Sequence, residues 1–139
     1  MRLVIDTNVV VAGLLWTGSP RLLIELAKSG EVALFTSSVL LDELARILTR
    51  KKFEHRITAT GVSHEDLVLG YADLAHVVAP ALIGRVVPRD IDDDAVIACA
   101  VSAQADLVVS GDRHLLEVKG YQGISIVTVT EALRRLAQR

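Results

Sequence analysis

The amino-terminal run Leu3-Val4-Ile5 is wholly apolar and ends abruptly in the polar triplet Asp6-Thr7-Asn8. A short apolar run closed this way reads as a buried strand that delivers Asp6 to its carboxyl end. From Pro20 to Ala27 the residues Leu22, Leu23, Leu26 and Ala27 recur at helical spacing, and Ser19 before Pro20 supplies a cap and first turn. Gly30 ends that helix, and Val32 to Phe35 reads as a second strand. Strand, crossover helix and strand within so few residues define a β-α-β unit, which dictates a parallel sheet and an α/β fold.

The remainder of the chain extends this frame. Thr36-Ser37-Ser38 leads into a helix with Leu40, Leu41, Leu44, Ile47 and Leu48 on one face, and Glu43 is expected near its start. The basic residues Arg46, Arg50, Lys51, Lys52 and Arg56 close this element, and Gly61-Val62-Ser63 opens a helix from about Glu65 to Ala75. Strands are expected at His76 to Ala79, Asp106 to Ser110 and Ile124 to Val127, a helix at Ala95 to Ala103 opened by Asp94, and a closing helix at Glu131 to Ala137. No linker, repeat or low-complexity segment interrupts the 139 residues, so one domain over 1–139 is expected.

Composition narrows the function classes. The chain is 51% hydrophobic but only 4% aromatic, so its core rests on Leu, Val, Ile and Ala. Cys99 lies in an apolar run and is read as core; with no cysteine pair, a reducing cytoplasm is the expected setting. No apolar stretch has the 18 or so residues that a membrane span needs, and Asp6 and Asn8 intrude before the run Val9 to Trp16 that would imitate a leader. A net charge of −2 excludes a general nucleic-acid coat and leaves only local basic patches for such contact.

Acids carry the chemistry. In open parallel sheets the functional crevice lies outside the carboxyl ends of the strands, near the point where strand order reverses. Asp6 and Asp112 follow strands, Glu43 and Asp94 belong to helices that begin at the same edge, and all four are read as converging there. Clustered carboxylates repel unless a cation neutralises them, and oxygen ligands suit Mg2+ or Mn2+. Each acid also has a plainer reading: Asp6 as the cap of a strand-to-helix turn, Glu43 as a first-turn acid, Asp112 as turn chemistry. The stretch Asp90-Ile91-Asp92-Asp93-Asp94 resists such a reading, because one acid suffices for a cap.

Competing motifs match the spacing less well. A calcium loop from Asp90 would need Gly and Glu where Ala95 and Val101 stand, and no glycine-rich phosphate loop follows the first strand. An aspartyl-phosphate phosphatase would want a second Asp at the position of Asn8, which demotes a phosphatase of small phosphoesters to a third, weaker reading. His55, His64, His76 and His114 show no ligand spacing and are read as surface or satisfied residues, which argues against zinc.

Val4-Ile5-Asp6-Thr7-Asn8-Val9, then Glu43 in a helix, then Asp90-Ile91-Asp92-Asp93-Asp94-Ala95-Val96-Ile97-Ala98, then Val108-Val109-Ser110-Gly111-Asp112, resemble the PIN domain in order and spacing over nearly the whole chain. The nearest likeness is to the small stand-alone members described as toxins of toxin-antitoxin pairs (VapC-like). The resemblance implies a three-layer α/β/α sandwich with a central parallel sheet, and Mg2+- or Mn2+-dependent endoribonuclease activity. It further implies a cognate antitoxin and a homodimer. Carried over, Asp6 is the central metal ligand, Glu43 the second acid, Asp94 the third and Asp112 the fourth, acting through water. Asn8 and Ser110 match the polar residues that orient them. Which of Asp92, Asp93 and Asp94 faces the metal is open, with Asp92 the reserve; Ile91 stands where the subgroup often has Pro. Arg46, Arg50, Lys51 and Arg113 are placed to hold RNA phosphates, or else form a solvated helix end.

Overall fold

The structure is a computed structural model that describes residues 1–84, 86 and 91–138; the side chains of Ile91 and Asp92 lie outside it, as does Asp90. One sheet of six strands organises the chain: β1 (Arg2–Ile5), β2 (Ala33–Thr36), β3 (His76–Val77), β4 (Leu107–Val109), β5 (Gly120–Tyr121) and β6 (Ile124–Val127). The spatial order is β3-β2-β1-β4-β6-β5, parallel throughout except for β5, which pairs antiparallel with β6. The chain therefore builds outward from β1 on one side and then returns to build outward on the other, so the order reverses between β1 and β4.

Alternation along each strand sorts the core into two layers. Leu3, Ile5, Leu34, Leu107, Val109 and Val127 face one cluster, while Val4, Phe35, Val108 and Ile126 face the other. Leu3, Val4 and Val109 are fully buried, each contributing about 1.5–3 kcal/mol of apolar burial. On the first face pack α1 (Thr7–Leu15), α2 (Ser19–Lys28), α3 (Ser38–Leu48), α5 (His64–Leu74) and α8 (Val129–Ala137). On the second lie α6 (Ile91–Ala103) and α7 (Arg113–Val118). This is the three-layer α/β/α arrangement with a mostly parallel central sheet.

Several elements differ from the reading of the sequence. α1 occupies the run from Val9 onward that carried no helical signal: its residues are buried on nearly every side, so no amphipathic period marks it. Gly13 of α1 lets α2 approach, since a Cβ there would meet Ile24 Cδ1 at 2.7 Å and Pro20 O at 3.0 Å. Arg21 closes α1 by donating to the carbonyls of Gly13 and Leu14 at 3.1 and 3.0 Å. Gly18, not Ser19, caps α2. Ser37 caps α3, its Oγ accepting from Leu40 N, so Glu43 lies mid-helix and not near its start. α6 begins at Ile91, which puts Asp94 inside its first turn instead of ahead of it. A 3-10 turn (Lys51–Phe53), α4 (Glu54–Thr60), α7 and β5 were not foreseen; each is short, with too little periodicity to read.

Candidate active site

The parallel sheet sends every strand-to-helix connection out at one edge. Asp6 leaves β1 and takes the N-cap position of α1; its carbonyl accepts from Val9 N and Val10 N, but its side chain makes no cap hydrogen bond. The carboxylate, only 5% exposed, turns instead to the neighbouring strand, where Ser110 Oγ donates to Asp6 Oδ2 at 2.7 Å. That removes the plain capping reading of Asp6.

Ser110 is fully buried and leaves β4 beside β1. Its Oγ accepts from Asp112 N at 2.9 Å while donating to Asp6, so the two connections are joined by one hydroxyl at the point where strand order reverses. Asp112 Oδ1 accepts from His114 N and Leu115 N at 2.7 and 3.2 Å. The capping reading of Asp112 is therefore met by one of its oxygens.

α6 precedes β4, and a helix that feeds a parallel strand starts at the strands' carboxyl edge. Asp94 in its first turn is 7% exposed and accepts from Val86 N at 3.0 Å; Asp93 beside it is 5% exposed. Burial thus does not separate these two, and the Asp92 side chain is outside the described residues. Glu43, half-buried on α3, sits farther from the edge than a helix-start acid would. Asn8 is exposed at the second position of α1.

The donor set is of carboxylate and hydroxyl oxygens, the chemistry that suits a hard divalent cation. Among the described residues no three His, Cys, Asp or Glu side chains gather closely enough to hold a metal ion. The fit is one of donor type and of a shared edge, with Asp6 and Asp112 tied through Ser110.

Three histidines have other surroundings, whereas His114 meets this edge through its backbone N–H, donated to Asp112 Oδ1. His76 stacks on Phe35 at 5.0 Å, His64 contacts Glu65, and His55 is exposed. Cys99 is fully buried, as expected, and burial pushes its thiol up to about 12. Arg46 is exposed in the last turn of α3, Arg50 and Lys51 are exposed just beyond it, and Arg113 reaches solvent within 3.8 Å of Glu117. Among the described residues, no single helix is long and apolar enough to cross a membrane.

Fold and edge together define a three-layer α/β protein with Asp6 and Asp112 joined at the sheet's switch point. The family model for the PIN domain matches residues 2–114, from β1 into α7, and takes in all four acids. The chain belongs to the PIN domain family. PIN domains are generally nucleases that use divalent metals, so this is a nuclease-type fold. None of the curated proteins compared with the chain matches it.

Proposed function

We propose that this PIN-domain protein is an endoribonuclease that hydrolyses RNA phosphodiesters with Mg2+ or Mn2+, and that it is the toxin of a toxin-antitoxin pair. The observation that carries this reading is the Ser110 hydroxyl, which binds Asp6 and positions Asp112 at the reversal of strand order. Asp6, Asp94 and Asp112 would hold the cation, with Glu43 as a further catalytic acid. Ser110, Asn8 and Asp92 would support them. A bound divalent cation neutralises charge on the phosphodiester and makes water more acidic. The chain's own part is to hold carboxylates in place: a serine that donates to a buried carboxylate fixes which oxygen faces outward. Arg46, Arg50, Lys51 and Arg113 would hold phosphates by charge.

The partner calls belong to the same proposal: a cognate antitoxin holds the protein inactive in the cytoplasm, and two copies form a homodimer. The test is RNA cleavage with Mn2+ or Mg2+ against EDTA, by the wild type and by Asp94→Asn. Metal-dependent cleavage that is lost in a folded Asp94→Asn supports the reading; EDTA-resistant cleavage sinks it. Co-purification with a small neighbour-encoded protein that abolishes cleavage would support the toxin assignment.

One observation favours a second reading, a catalytically weak PIN-fold binding module that acts through a partner protein. Leu69 on α5 stands 63% exposed, an apolar side chain open to a partner. Calorimetry separates the two: no measurable Mn2+ affinity, with tight partner binding, selects the module.

A further inference from the structure

Trp16, the chain's one tryptophan, follows α1 and keeps 37% of its surface in solvent. It is built into a cluster of rings and cations. The Arg56 guanidinium lies 4.9 Å from the Trp16 ring centre, and Phe53 meets the indole edge-on at 6.1 Å and 74°. Lys52 Nζ lies 5.0 Å over the Phe53 ring. α4 carries Arg56 against the end of α1, so the cluster joins two elements far apart in sequence.

Charge is concentrated in the same place. Between Arg46 and Arg56 stand five cationic side chains and one acid, Glu54, on a chain whose net charge is −2. Arg56 also lines a cavity of about 430 Å3 together with Arg21, Lys28 and Glu25, the last two paired at 3.6 Å. An exposed indole beside a second ring, set in a local excess of Arg and Lys, is the composition of a surface that stacks unpaired bases while cations track the backbone. A duplex buries its base faces and offers such a platform little.

We infer that Trp16 and Phe53, with Arg56 and Lys52, form a stacking platform that holds single-stranded RNA away from the acidic edge. Trp16 stands ten residues along the chain from Asp6, roughly 15 Å by helical rise, so the platform engages nucleotides other than those at the acids. This rests on the nuclease reading only for the choice of RNA as ligand. The four residues are positioning residues: they set which strand is presented, and they favour RNA whose bases are unpaired.

Trp16 is its own reporter. Its fluorescence is followed in EDTA at low salt, with a single-stranded oligoadenylate of about twelve nucleotides, within the site sizes usual for such surfaces. Saturable quenching is expected, at least about five-fold tighter than for a hairpin duplex of equal length and weakening steeply with salt. By anisotropy of labelled RNA, Trp16→Ala weakens binding about five-fold or more, and Trp16→Phe restores most of it. In Mn2+ the same variant raises KM more than it lowers kcat. Absence of quenching, while Mn2+-dependent cleavage persists, overturns the platform and leaves the nuclease standing. Equal quenching by duplex RNA or by polyglutamate also overturns it, the latter pointing to an acidic protein partner. Quenching without any cleavage supports the platform and overturns the nuclease reading instead.

Discussion

Ser110 Oγ donates to Asp6 Oδ2 at 2.7 Å, across 104 positions of the chain, and both groups are buried. The same hydroxyl accepts from Asp112 N at 2.9 Å. Ser110→Ala removes both contacts and leaves a buried carboxylate short of a donor. We expect it to destabilise the fold by about 1–3 kcal/mol, read from urea denaturation. Metal-dependent RNA cleavage should fall by roughly 10–100-fold, as when outer-sphere partners of metal ligands are lost. Unchanged stability would mean that the hydroxyl does not hold Asp6.

Gly13 is where α1 and α2 meet. A methyl group there would stand 2.7 Å from Ile24 Cδ1 and 3.0 Å from Pro20 O. The isoleucine tip can move, but the backbone oxygen cannot without shifting α2. Gly13→Ala should therefore cost about 1–3 kcal/mol, although alanine is the better helix former. A lower thermal midpoint checks this, and a higher one would contradict the packing.

The frame was legible where burial is one-sided or strands are short and apolar. Leu3 to Ile5 announces β1, Ile124 to Val127 matches β6 without adjustment, and the period of Leu40, Leu44 and Leu48 marks α3. α1 was hidden because Val9, Val10 and Val11 are all buried, which erases the helical period. The acids were legible as types, and Asp6 and Asp112 were rightly set at strand ends. Their connection through Ser110 was not, since no sequence spacing reveals that β1 and β4 are neighbours. Glu43 was misplaced along its helix, which starts at Ser38 under the Ser37 cap and so runs a turn and more before reaching it. The stacking cluster was missed for a similar reason: Trp16 and Arg56 meet only when α4 folds back on α1.

Cys99 packs on α6 without exposure, and burial holds its thiol near 12, so almost no thiolate exists at neutral pH. The native protein should react with a disulfide reagent at pH 8 only as fast as it opens, and rapidly in denaturant. Fast labelling of the native state would show that α6 does not cover the second face of the sheet as described.

Glu131 accepts from Arg134 and Arg135 on α8, and these hydrogen bonds hold its carboxyl down to about 2. A lowered folded-state value means the contribution is present above the ordinary value of 4.5 and is lost as pH falls toward 2. The stability gap between wild type and Glu131→Gln should therefore be constant from neutral pH to about 5 and close below it. A gap that persists at pH 2 would place the effect elsewhere.

The most direct test of the account is single-turnover cleavage of RNA by Asp6→Asn in Mn2+, with circular dichroism confirming the fold. The amide keeps the shape of the carboxylate and removes its charge. The account predicts a loss of more than about 100-fold, beyond that caused by losing an outer-sphere partner. Cleavage by a well-folded Asp6→Asn at the wild-type rate would contradict it.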